Sequence, residues 1–154
     1  PQAASEEYHA LFIGVTEGEV VPYASWYETG FLMDRPLVQL RSDLVRLGFA
    51  RQEGVREPED HAAALCEVMG MLILQAEDSA GDETVRDFFQ AHLAAWMPAF
   101  FLDLQRAPAA VLYAAVGDLG EQILELERRY LSLSSEPVRI SAYPAAKRQE
   151  PSER

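Results

Sequence analysis

Residues 85–104 read VRDFFQAHLAAWMPAFFLDL, and this stretch decides the fold. Val85, Phe88, Phe89, Leu93, Trp96, Met97, Phe100, Phe101 and Leu104 recur at i, i+3, i+4 and i+7, with His92 on the same stripe. That is the period of a helix with one apolar face, whereas a half-buried strand would alternate in twos. Pro98 interrupts the run, because proline removes one backbone donor and crowds the preceding turn. The sequence therefore predicts a kink, or a break and restart, at that point.

Working outward, three further segments carry the same period. Pro36 at a helix start leads Leu37, Leu40, Leu44 and Leu47, and Gly48 stops the run. A second helix is expected to open at Glu57-Pro58, with acids in its first turn facing the positive end of the helix dipole. It continues through Leu65, Val68, Met69, Leu72 and Ile73. Being apolar on most sides, it should be central. The last helix is expected from about Ala109 to Leu133, burying Leu112, Val116, Leu119, Ile123, Leu126 and Tyr130. A shorter helix before Gly14 carries Tyr8, Leu11 and Phe12. The stretch 14–35, rich in Gly, Pro and aromatics, is too irregular to assign as a helix. No strand pattern of comparable length competes, so the expected fold class is all-α, a compact helical bundle. The bundle should occupy residues 1–134, and the Ser, Pro, Ala and mixed-charge composition of residues 135–154 predicts a flexible tail.

Composition bounds the function. The 25 acidic residues against 13 basic ones give a net charge of -12, and the pI is near 4.6. Such a surface repels phosphate backbones and anionic membranes and attracts basic peptides or basic patches, chiefly by steering encounter. Cys66 is the single cysteine, so an internal disulfide is excluded and a reducing compartment fits. No apolar run reaches the roughly 18–20 residues of a membrane span, so no stable membrane insertion is expected.

Three constellations could carry chemistry. Glu57-Pro58-Glu59-Asp60-His61 is a polar cluster at the mouth of an apolar helix. Pairing Asp60 with His61 as acid and base meets an obstacle, since adjacent helical side chains point about 100° apart, and no nucleophile is signalled nearby. His9, His61, His92 and Cys66 lack every metal-site spacing, with no H-x-x-x-H, C-x-x-C or H-E-x-x-H, and no phosphate-binding loop is present. Neither a metal nor any other cofactor is expected. The third constellation, Pro22-Tyr23-Ala24-Ser25-Trp26-Tyr27, is a Pro-aromatic segment. It reads equally as the lining of a binding groove or as a lid folded onto the core.

Together these elements resemble the TorD-like family of redox-enzyme maturation chaperones, which includes the DmsD type and, more distantly, the NarJ type. The matching features are Glu7-Tyr8-x-x-Leu11-Phe12, Pro22-x-x-Ser25 with Tyr23 and Tyr27, Glu57-Pro58-Glu59-Asp60-His61, His92-Leu93-x-x-Trp96 and Phe101-Leu102. The E-P-x-D-H element, set between an aromatic loop and F-F-x-x-H-L-x-x-W, is the most specific of them. The resemblance covers roughly residues 6 to 132. It implies an all-helical, cytoplasmic protein without catalysis. Such a chaperone binds the twin-arginine signal peptide on the precursor of a molybdoenzyme catalytic subunit. A helical adaptor that binds a folded partner without reading a signal peptide is the alternative the residues leave open. Carried over by position, the resemblance implies a peptide groove lined by Leu11, Phe12, Pro22, Tyr23, Ser25 and Tyr27. Glu57, Pro58, Asp60 and His61 would form its polar end, with His92 and Trp96 supporting it from the bundle side. Family members carry further helices before the Tyr8 element, where this sequence has seven residues. The expectation is a truncated form or a domain-swapped homodimer in which a partner protomer supplies those helices.

Overall fold

The computed structural model describes residues 2–13, 18–76 and 79–133. Its elements, in order, are α1 (Gln2–Tyr8) running into a π-helical turn (His9–Ile13), α2 (Ala24–Thr29), α3 (Arg35–Arg46), α4 (Ala62–Gln75), α5 (Ser79–His92), α6 (Met97–Arg106) and α7 (Leu112–Leu133). Among the described residues there is no strand, only an isolated antiparallel bridge between Tyr23 and His61. The fold is an all-α bundle, as the periodicity predicts.

α6 packs chiefly on α7, and α4 on α5. The core between them holds Leu65, Phe89, Trp96, Met97 and Leu104, with Leu37 and Leu40 of α3 closing one side. α3 begins where expected: the Asp34 carboxylate accepts from Arg35 N at 2.7 Å, and Pro36 lies in the first turn. Gly48 follows its end with φ of +82°, a conformation that glycine adopts without strain.

Four local expectations are corrected. The long stripe at 85–104 does break, but at residues 93–96, ahead of Pro98. The proline then occupies the first turn of α6, where its missing N–H costs nothing. The aromatic stretch contains a short helix, α2, whose first turn is held by a residue from another loop, as described below. α4 opens at Ala62, not at Glu57-Pro58, because His61 is extended and serves as its N-cap, while Glu57 to Asp60 stay in the preceding loop. Nor is α4 central on all sides: Ala62, Leu65, Met69 and Leu72 are buried, but Ile73 and Leu74 face outward.

The largest departure is in α7. The stripe expected in the core, from Leu112 to Tyr130, is 41–65 % exposed. The helix docks instead through Gly117, Gly120, Leu124 and Leu131. A Cβ at Gly120 would stand 2.3 Å from the Phe101 ring, and one at Gly117 would stand 2.6 Å from the Phe101 carbonyl oxygen. Close approach of the backbone along the glycine side brings α7 onto α6, and that approach turns the larger side chains away. The tail expected over residues 135–154 lies outside the described residues.

Candidate functional site

The Tyr23–His61 bridge clamps the loop before α2 to the loop before α4. Ala62 N donates to Pro22 O at 2.8 Å and Ala24 N donates to Asp60 O at 3.0 Å. Asp60 also uses its side chain, since Oδ2 accepts from Ser25 N at 3.0 Å in the first turn of α2. A carboxylate there satisfies an otherwise orphaned helix donor and sits at the positive end of the dipole. The other oxygen, Oδ1, is buried without a hydrogen-bond partner among the described residues. Asp60 is 1 % exposed. It lines a cavity of about 20 Å³ together with Glu28 and His92, a volume that suits roughly one water. Desolvation, reinforced by the charge of Asp60, pushes the Glu28 carboxyl above its usual range.

His61 turns its Nδ1 inward to accept from Ala63 N at 3.1 Å. The neutral ring therefore carries its proton on Nε2. Burial holds its pKa below the usual histidine range, against the pull of Glu57 and Asp60. Tyr23 packs edge-on against it, ring centroids 5.2 Å apart, and its hydroxyl donates a hydrogen bond to the Glu57 carboxylate. Desolvation, then this contact, raises the Tyr23 pKa. Glu57 is exposed beside them. Glu59 is already engaged: Arg41 donates to it from two nitrogens at 2.9 and 2.8 Å, and Arg51 lies 3.8 Å away.

Two hollows flank this loop. On the α4 side His61, Pro22, Phe12, Tyr8, Phe101 and Tyr113 line an apolar cavity of about 250 Å³. Phe12 and Tyr113 meet edge to face there at 5.1 Å. On the α3 side Glu57, Pro58, Glu59, Arg41, Phe49 and Met71 border an open groove of about 650 Å³.

The structure thus brings Phe12, Pro22 and His61 together in one cavity, with Tyr23 against His61, while Glu57 and Pro58 border the opposite groove. Leu11, Ser25 and Asp60 are buried beneath that surface. Tyr27 leans on Trp96, ring centroids 5.5 Å apart, and its hydroxyl donates to Asp103 at 2.7 Å. Burial, then that hydrogen bond, raises its pKa. Trp96 in turn donates Nε1–H to His92 O at 2.7 Å, and His92 Nε2 lies 2.9 Å from Asp43 Oδ2. Among the described residues no three His, Cys, Asp or Glu side chains converge as a metal site, and no helix is long and apolar enough to cross a membrane.

Tyr113 and Phe101 are cavity residues that the sequence reading did not assign. Glu7 is another missed contributor. Its carboxylate accepts from Val111 N, Leu112 N and Tyr113 N at 2.8, 3.1 and 2.7 Å, capping α7 and holding Tyr8 and Phe12 against it. The available signal was negative: no Ser, Thr, Asp or Asn stands at residues 109–111 to cap the helix from within.

Residues 1–102 match the model of the nitrate reductase delta subunit family. This chain belongs to that family, the one shared by TorD-type and NarJ-type proteins. Among its relatives, the chaperone protein TorD of Photobacterium profundum is 29 % identical over 134 residues, 81 % of this chain and 62 % of the relative. TorD of Vibrio cholerae is 29 % identical over 129 residues, 79 % of this chain and 59 % of that protein. TorD of Vibrio atlanticus is 25 % identical over 137 residues, covering 83 % and 64 %. The chain thus spans about three-fifths of the length of these curated relatives. No solved structure matches it.

Proposed function

We propose that this family member is a cytoplasmic maturation chaperone for a molybdopterin-dependent oxidoreductase. It binds the twin-arginine signal peptide of that enzyme's precursor before export and catalyses no reaction. One observation carries the reading: the loop 57–61 has an apolar cavity of about 250 Å³, bordered by His61 and Pro22, on one flank, and the exposed carboxylate of Glu57 on the groove at the other, the two joined through Tyr23. A twin-arginine signal presents guanidinium groups followed by an apolar stretch. The first suits Glu57 through charge-assisted hydrogen bonds, and the second suits the aromatic cavity. The net charge of -12 adds steering toward a basic segment. The relatives named chaperone protein TorD agree with this reading.

Asp60 and His61 serve as the frame of the site in this proposal. The Asp60 carboxylate is spent on the Ser25 amide, and His61 Nδ1 is spent on Ala63. Asp60 is 1 % exposed and so lies out of a peptide ligand's reach, and His61 keeps only its Nε2 side for one, which supports a framing role.

The test is titration calorimetry of the folded chain against a twin-arginine peptide and a twin-lysine control. Micromolar affinity that weakens with lysine is the expected result, because lysine cannot make the bidentate contact. Equal binding of both peptides, or none, would leave the adaptor reading in its place.

A further inference from the structure

A carboxylate oxygen buried without a donor is costly, because the water it gave up is not replaced. Asp60 carries one. It is 1 % exposed and spends Oδ2 on Ser25 N, while Oδ1 has no hydrogen-bond partner among the described residues. Asp60 lines the hollow of about 20 Å³, room for a single water-sized body. A second carboxylate, Glu28 of α2, lines it as well, and so does Gln39 of α3. Both of these residues are exposed, so the rim of the hollow meets solvent.

No lysine or arginine is among the lining residues. His92 forms a buried wall, but its Nε2 lies 2.9 Å from Asp43 Oδ2 and burial holds its pKa below the usual histidine range. It supplies no positive charge to the hollow at neutral pH. Two carboxylates thus share a small space without a cation of the protein's own. Desolvation, then the charge of Asp60, raises the Glu28 carboxyl, as such crowding requires.

The donor atoms define what fits. Asp60 Oδ1, the Glu28 carboxylate and the Gln39 amide oxygen are hard oxygen donors, and two carboxylates balance one doubly charged ion. No three His, Cys, Asp or Glu side chains converge among the described residues, which disfavours zinc and its neighbours. Calcium calls for roughly six to eight oxygen ligands, more than these side chains offer. Magnesium is smaller, is held by one or two carboxylates and keeps several of its waters, which the open rim can supply.

We propose that this hollow binds a magnesium ion, with Asp60 Oδ1 and Glu28 as its carboxylate ligands and Gln39 beside them. The ion ties α2 and α3 to the loop 57–61, which separates the two larger hollows of the candidate site. The assignment does not depend on the peptide-binding reading.

Thermal unfolding of the whole chain, with magnesium chloride exchanged for sodium chloride at constant ionic strength, tests it. The unfolding midpoint should rise and saturate in the millimolar range. Glu28→Gln, at an exposed position, should abolish the rise, and Asp118→Asn, at an exposed position on α7, should keep it. Manganese chloride locates the ion: substoichiometric metal should broaden the amide resonances of Ala24, Leu40 and Ala91 before those of α7. An unmoved midpoint means that Oδ1 is served by a water or a shared proton, and overturns the proposal. A larger rise with calcium chloride overturns the choice of ion. A rise that never saturates, that survives Glu28→Gln or that Asp118→Asn also removes is diffuse counter-ion binding to a chain of net charge -12, and so is broadening that begins on α7; each overturns the site.

Discussion

The carboxylate of Asp60 caps the helix that begins at Ala24, accepting from Ser25 N at 3.0 Å while its own backbone oxygen accepts from Ala24 N at 3.0 Å. One residue from the loop before α4 thus satisfies two donors of α2, which has no capping side chain of its own.

We predict that Asp60→Ala lowers stability by about 1–3 kcal/mol, because it leaves the buried Ser25 amide without its acceptor. Asp60→Asn keeps an acceptor oxygen and should cost less. Urea midpoints for the two variants decide it. Equal and small losses would mean that the cap carries little of the fold.

His61 and His92 make stability depend on pH in one direction. Burial lowers both pKa values below the ordinary 6.5; Asp43 opposes that shift at His92, and Glu57 and Asp60 oppose it at His61. Below that value the unfolded chain binds more protons than the folded one, so stability should fall as pH drops through 6.5 toward the folded-state values. His61→Asn, which retains a capping acceptor, should flatten part of this slope and leave the part due to His92. Guanidinium midpoints across the acid range measure it, and an unchanged slope in the variant would exclude His61 as a source.

Glycines on two helices should respond with opposite signs. Nothing lies within 4 Å of a Cβ at Gly70, so Gly70→Ala should stabilise α4 by about 0.5–1 kcal/mol through helix propensity. At Gly120 the same change meets the Phe101 ring at 2.3–2.5 Å. Overpacking of about 1–3 kcal/mol then outweighs the propensity gain. Thermal or urea unfolding of the two variants tests the pair, and a stabilising Gly120→Ala would contradict the close approach of α7 to α6.

Binding and stability should separate at the proposed peptide site. Glu57→Gln removes a charge from an exposed position and should weaken twin-arginine peptide binding by about 1–3 kcal/mol with a nearly unchanged urea midpoint. Phe12→Ala opens the apolar cavity and should weaken peptide and fold together. Calorimetry beside denaturation distinguishes the two. A Glu57→Gln variant with full affinity would move the basic end of the peptide elsewhere.

The helices themselves were legible because packing of one face imposes a 3.6-residue period that Leu37 to Leu47 and Val85 to Leu104 display openly. The orientation of α7 was not. Its seam from Leu112 to Tyr130 carries the stronger apolar period, but docking was decided by how near Gly117 and Gly120 let two backbones come, which is a property of the pair of helices. The same limit applies at the candidate site. The cluster at residues 57–61 stood out by composition, and His61 does open a helix. That Asp60 would be sealed against Ser25 depends on two loops meeting in space, and no local pattern around either residue encodes it. Tyr113 escaped for a similar reason, since it reaches the cavity only through the capping of α7 by Glu7.

The Glu7 cap also has a kinetic side. Its hydrogen bond to Tyr113 N joins residues 106 apart in the chain. Closing so long a loop costs entropy before the contact returns anything. We predict that the contact forms late in folding, after α4, α5 and α6 have collapsed around Trp96. Removing the Glu7 carboxylate should speed unfolding and leave the refolding rate almost unchanged. The first opening of the native protein should then be the release of α1 from α7, uncovering Phe12 and Tyr113 while the rest of the bundle stays closed, which amide exchange of the α7 N-terminus would report.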